Sequence, residues 1–228
     1  METQLLDGSL NPVNVARVIK HNLDFYTAHP GYFKPEGLLV FCGEQGSGKT
    51  LSAVQYVKKL CEEYPRAILC TNVEIHGLPP DTQVVEYNGL DCLKSLENGY
   101  YGVIYLIDEI HLEFNSLESK NIDIEVMIEV SQQRKQRKHI IGTSQVYGRL
   151  AKPFREQIRN VVLCSNFCKI LQVNTLIDGS KSTEKDGHLI TDTVKRFYWF
   201  HRPELYDSYD TYAKMKRYKK EWQGRRIS

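Results

Sequence analysis

Gly43-Glu44-Gln45-Gly46-Ser47-Gly48-Lys49-Thr50 stands between the apolar run Leu38-Leu39-Val40-Phe41-Cys42 and a segment whose Leu51, Val54, Val57 and Cys61 recur at three, three and four residues. That spacing predicts a helix with one apolar face, and the run before it predicts a buried strand. Strand, glycine loop and helix in this order make a phosphate-binding loop of Walker A type. The glycines let successive N–H groups turn toward one anion, the helix N-terminus adds partial positive charge, and Lys49 can reach the terminal phosphates of a nucleotide such as ATP. The cradle is expected to run from Gly43 through Leu51, with Thr50 offering its hydroxyl to Mg²⁺.

A second constellation supports this reading. Val103-Ile104-Tyr105-Leu106-Ile107 is apolar throughout, as befits the centre of a parallel sheet covered on both faces, and Asp108-Glu109 follow it directly. Carboxylates at the C-terminal end of a buried strand lie where open α/β sheets bind ligands. Asp108 is expected to hold Mg²⁺ through water and Glu109 to activate the attacking water. The glutamate separates functions: a small-molecule kinase keeps water from the γ-phosphate, whereas a motor needs a base beside it. His111 either touches this site or lies at the surface of the following loop.

Ile122, Val126 and Val130 predict a helix over 121–138 that ends in Gln132-Gln133-Arg134-Lys135-Gln136-Arg137-Lys138. Cations at a helix C-terminus either complement its dipole and stay solvated, or supply an arginine finger from Arg134 or Arg137 to a neighbouring subunit. The strand over 139–143 then runs into Ser144-Gln145. An amide at that strand end would lie between the carboxylates and the phosphate loop, within reach of the γ-phosphate or the lytic water.

Gly43-x4-Gly48-Lys49-Thr50, then Ile107-Asp108-Glu109-Ile110-His111, then arginines, then Ile140-Ile141-Gly142-Thr143-Ser144-Gln145 resembles the FtsK–HerA superfamily of DNA-pumping ATPases. Within it, the branch of zonula-occludens-toxin-like and viral genome-packaging ATPases is the most similar. The resemblance covers about 36–176. It implies a three-layer, RecA-like P-loop NTPase with a mostly parallel central sheet, and a hexameric ring with ATP between subunits and DNA in the channel. It also implies Gln145 as sensor and Arg134 or Arg137 as finger, with Arg155 and Arg159 as alternatives. No run approaches the roughly 20 apolar residues a bilayer requires, which sets the chain apart from the toxin-like branch and favours a soluble packaging motor.

The rest of the chain is read around this core. Residues 1–36 form an N-terminal extension, with a short helix over 14–26 packed on the core. A core over 37–176 adds a second buried strand at Ala67-Ile68-Leu69-Cys70, an edge strand at Gln83-Val84-Val85-Glu86-Tyr87, and a short helix closed by Asn98-Gly99. Residues 177–228 contribute a hairpin and a basic, aromatic tail. Segments 167–176 and 189–200 alternate well enough to pair, with an exposed polar loop over 178–187 between them. The stretch 147–159 mixes aromatic and basic residues and faces either a channel or a subunit boundary.

Charge is uneven along the chain. The net value is +2, but Lys195 to Ser228 carries ten Lys or Arg against four Asp or Glu, leaving the preceding residues at −4. Tyr209, Tyr212, Tyr218 and Trp222 interleave with those cations, a pattern that suits a polyanion such as double- or single-stranded DNA, or docking on a neighbour. The six cysteines lack zinc-finger spacing and are read as reduced thiols. The N-terminus lacks a basic region followed by an apolar stretch, so no signal peptide is expected and the host cytoplasm, with association to a virion, is the expected location. The leading expectation is a motor that packages a viral genome with shell or portal-vertex proteins as partners. The alternatives are an ATPase that extrudes filamentous phage, and a nucleotide-dependent binding switch with little turnover.

Overall fold

The computed structural model describes residues 12–35, 37–115, 124–179, 183–185, 188–190 and 193–210. The chain divides into two compact units, Met1–Tyr32 and Phe33–Ser228. In the first, helix α1 spans Pro12–Ala28, longer at both ends than its sequence suggested, and none of its residues is buried. Phe25 stacks on His29 at its C-terminal end, with ring centroids 4.5 Å apart.

The second unit runs β1 (Gly37–Cys42), α2 (Lys49–Glu63), β2 (Ile68–Thr71), β3 (Glu74–Ile75), β4 (Gln83–Glu86), α3 (Asp91–Ser95), β5 (Val103–Ile107), α4 (Ile124–Gln132), β6 (Lys138–Ser144) and α5 (Lys152–Arg155). It continues with β7 (Ile158–Phe167), β8 (Leu171–Asp178), β9 (Thr183–Lys185), β10 (His188–Ile190), β11 (Thr193–Phe200), α6 (Pro203–Tyr206) and β12 (Tyr209–Asp210). Eight strands form one sheet in the order β11-β8-β7-β1-β6-β5-β2-β4. From β7 to β4 every pair is parallel, whereas β8 and β11 close one edge antiparallel. The expected hairpin between the segments around 171 and 200 is thus an extension of the main sheet, and Gln83–Glu86 is the expected edge strand.

Strands β1 and β5 are buried at every position because both sheet faces are covered. Alternation divides their side chains between two cores. Leu38, Val40 and Cys42 join Val103, Tyr105 and Ile107 on the face that carries Val126 and Val130 of α4 and Phe154 of α5. Leu39, Phe41, Ile104 and Leu106 join Ala53, Val54, Val57, Leu60 and Cys61 of α2 on the other. Each such aliphatic side chain contributes roughly 1.5–3 kcal/mol on burial, so α2 is held to the sheet by its apolar face rather than by intrinsic propensity.

Two sequence expectations are corrected. Helix α4 stops at Gln132, not at Lys138: the Arg137 backbone takes φ 54° and the Lys138 N–H bonds the Gln133 carbonyl, which turns the chain into β6. Lys138 is accordingly not a solvated member of the basic cluster. It is buried, donating to the Leu93 carbonyl at 2.7 Å and to Glu129 Oε2 at 3.1 Å. The polar segment read as a loop over 178–187 also contributes to a two-stranded ribbon, β9 paired antiparallel with β10. The tail beyond Asp210, with Tyr212, Tyr218 and Trp222, lies outside the described residues, as does the start of the expected 121–138 helix.

Candidate nucleotide site

Residues Gly43–Gly48 turn from the C-terminal end of β1 into the N-terminus of α2. Gly48 precedes the helix at φ 83°, a left-handed conformation, and a Cβ there would strike the Gln172 amide, so backbone and space both favour glycine. The Lys49 ammonium donates to the Glu44 carbonyl across the loop at 2.8 Å. The Ser47 hydroxyl is buried and lacks a hydrogen-bond partner among the described residues. A buried donor of that kind at a helix N-terminus fits a phosphate oxygen.

The two carboxylates arrive as their spacing implied. The Thr50 hydroxyl donates to Asp108 Oδ1 at 2.9 Å, across 58 residues of sequence. Hydroxyl and carboxylate oxygens side by side are the hard donors that Mg²⁺ prefers, so Thr50 and Asp108 suit that ion. Asp108 is fixed further by residues that the motif does not contain. Its N–H donates to Asn72 Oδ1 at 2.8 Å, and the Thr143 hydroxyl donates to its Oδ1 at 2.7 Å. That same Thr143 oxygen accepts the Glu109 N–H at 2.9 Å, so one hydroxyl ties both acidic residues to β6.

Glu109 sits at φ 54°, a strained conformation for a residue with a Cβ, and its side chain is partly exposed. His111, for which two places were open, is buried: Nε2 lies 3.3 Å from Glu109 Oε2, and Nδ1 lies 3.4 Å from the Ser144 hydroxyl. It belongs to the site. Gln145, half-buried, follows β6 by one residue. Because Ser144 pairs with Cys42 and Gly142 with Ile107, Gln145 emerges between the phosphate loop and the carboxylates.

The arginines lie elsewhere. Arg134 is exposed and lines a cavity of about 300 Å³ with Gly37, Tyr56, His139 and Arg159 at the N-terminal ends of β1 and β6. The Arg137 carbonyl accepts the Val103 N–H where β5 begins, and its guanidinium lies 5.0 Å from the centroid of the Tyr100 ring. A six-residue strand rising about 3.3 Å per residue separates these positions from their own phosphate loop by about 20 Å. Arg155 stacks on Tyr147 at 5.8 Å instead. None of the four is brought to the nucleotide site of its own chain.

Thr143 and Asn72 are the site residues that sequence reasoning missed. A hydroxyl residue following the apolar run Ile140-Ile141 of β6 was the available signal for Thr143; nothing local marks Asn72.

Fold and site define a class: a P-loop NTPase fold of RecA-like order, in which β6 intervenes between the strand entering the phosphate loop and the strand bearing the carboxylates. Among solved structures the chain is similar to the N-terminal domain of zonular occludens toxin from Neisseria meningitidis, with a TM-score of 0.53 and 17% identity over 78% of this chain and 100% of that one. It is similar as well to the genome packaging NTPase B204 from Sulfolobus turreted icosahedral virus 2, solved in complex with ATP-gammaS, with a TM-score of 0.50 and 12% identity over 75% of this chain and 98% of that one. At such identities the likeness establishes the fold, and the fold agrees with the branch that the motifs resemble. No family model matches the chain, and no curated protein matches it in sequence.

Proposed function

We propose that the chain is an ATP-hydrolysing motor subunit that translocates DNA to package a viral genome. The observation that carries the reading is the cluster Thr50–Asp108–Thr143–Glu109, which ties the two acidic residues to the start of the helix that follows the phosphate loop. Lys49 neutralises the terminal phosphates and Thr50 with Asp108 would hold Mg²⁺, which when bound offsets charge on the phosphate oxygens. Glu109, oriented by its backbone bond to Thr143 and by His111, takes the proton of the attacking water. Gln145 senses the outcome from the end of β6, and the arginines at the far end of the sheet serve a neighbouring copy in a ring. The basic balance from Lys195 onward supports a polyanionic partner. Partners of this reading are DNA, further copies of the chain in a hexamer, and shell or portal-vertex proteins, in the host cytoplasm or on the virion.

The test is ATP turnover with and without double- and single-stranded DNA, on samples of measured oligomeric state. Glu109→Gln is expected to lower turnover by about 10²–10⁴-fold while leaving nucleotide affinity intact. Unchanged turnover would remove Glu109 as the base. A second reading, extrusion of filamentous phage, draws support from the likeness to the zonular occludens toxin domain along that domain's whole length. No helix among the described residues is long and apolar enough to cross a membrane, so extrusion would require a membrane partner or segments beyond those described.

A further inference from the structure

The phosphate loop is gripped from outside its own motif. Gln172, on β8, is 0% exposed, and every polar atom of its amide is committed. Its Nε2 donates to the Ser47 carbonyl at 2.9 Å and to Asn174 Oδ1 at 3.0 Å, so both hydrogens are used and the amide orientation follows. Its Oε1 faces His201 Nε2 at 3.0 Å, and because an amide oxygen only accepts, that imidazole nitrogen carries the proton. The other ring nitrogen of His201 meets the Tyr206 hydroxyl of α6, which also reaches the Lys169 carbonyl in the β7–β8 turn at 3.1 Å. From the last residues of β7, Asn166 donates a second bond to the loop, to the Gly46 carbonyl.

We propose that Gln172 is a positioning residue for the nucleotide, acting through the peptide between Ser47 and Gly48, with His201 acting through Gln172. In a trans peptide the C=O and the following N–H point in opposite directions. Holding the Ser47 carbonyl toward β8 therefore aims the Gly48 N–H away from β8, into the mouth of the loop where a phosphate oxygen is bound. Gly48 has no side chain, which is what allows Gln172 to approach this closely. The ligand's pyrophosphate geometry is thus set partly by the antiparallel edge of the sheet, outside the strand-loop-helix motif.

This inference rests on the nucleotide-binding reading, and the experiment separates the two. The full chain is titrated with a non-hydrolysed ATP analogue and assayed for ATP turnover, as wild type, Gln172→Met, Asn166→Ala, His201→Ala and Gln172→Met/His201→Ala. Methionine keeps the volume of glutamine without its donor or a charge. Gln172→Met is expected to weaken analogue binding about tenfold and raise KM similarly, with kcat within about twofold and a near-native Tm. His201→Ala is expected to weaken binding a few-fold, and to add nothing in the Gln172→Met background. Asn166→Ala, half-buried near the end of β7, is expected to weaken binding without loss of fold. Wild-type affinity in a folded Gln172→Met chain, or multiplicative effects of the two substitutions, would overturn the proposal. If Gln172→Met does not fold, wild-type affinity in both Asn166→Ala and His201→Ala overturns it instead. Absence of binding by the wild-type chain would overturn the nucleotide reading itself.

Discussion

Thr143 has one hydroxyl and two dependants. It donates to Asp108 and accepts from the Glu109 backbone, so its loss frees the metal-side carboxylate and the base together. Thr143→Val, nearly isosteric, is expected to lower ATP turnover about 10–100-fold, while Thr143→Ser restores most of it; phosphate release under saturating ATP measures both. A serine that fails to rescue would assign the loss to packing. The placement of Lys49, Thr50, Asp108 and Glu109 around one loop was legible because the motifs that bring them there are short and contiguous. Asn72 and Gln172 were not, because a single amide in a strand or loop becomes functional only through a partner 36 or 125 residues away. Lys138 was misread for the same reason: a cation at the end of a basic run looks solvated until Leu93 and Glu129 are seen around it.

At the scale of an element, β6 shows how one strand can serve both ends of the sheet. Its C-terminal end carries Thr143 and the approach to Gln145, and its N-terminal end carries His139, whose Nδ1 donates to the Gly37 carbonyl at 3.0 Å and whose Nε2 accepts from the Tyr56 hydroxyl at 3.1 Å. Burial lowers the His139 pKa from 6.5 to about 4, opposed in part by the bond to Gly37. A histidine kept neutral in the fold binds its proton first in the unfolded chain. Its stabilising effect is therefore complete above pH 6.5 and is lost progressively as pH falls toward 4, by about 3 kcal/mol in all. Urea unfolding at pH 7 and pH 5 is expected to show a loss in the wild type that exceeds the loss in His139→Gln by about 2 kcal/mol. Equal losses would mean that His139 is protonated in the fold. The existence of the strands around β6 was readable from apolar runs. The C-terminal end of α4 was not, since a run of helix-compatible polar residues carries no stop signal; the turn at Arg137 and the pairing of Lys138 with Val103 end it.

For the whole molecule, the proposed motor makes the assembly the unit of function, because the arginines are separated from their own phosphate loop. A finger at Arg134 or Arg137 can act only on another copy. Two inactive chains then complement each other: Lys49→Ala, with intact arginines, mixed with Arg134→Ala/Arg137→Ala, with an intact loop, is expected to release phosphate above the sum of the two alone. Since a finger contributes about 10³–10⁵ in kcat, the arginine double variant by itself is expected to be nearly inert. Full turnover by that variant in a confirmed oligomer would place the finger elsewhere. By itself the sequence determined that a nucleotide loop opens a mostly parallel α/β core and that two carboxylates answer it, because those features depend on local spacing and on apolar runs that must be buried. Only the tertiary structure decided which distant amides and hydroxyls hold the loop and the carboxylates, and at which end of the sheet the arginines lie. Hydrogen bonds across the sheet are set by strand order and register, and neither is encoded in the separation of residues along the chain.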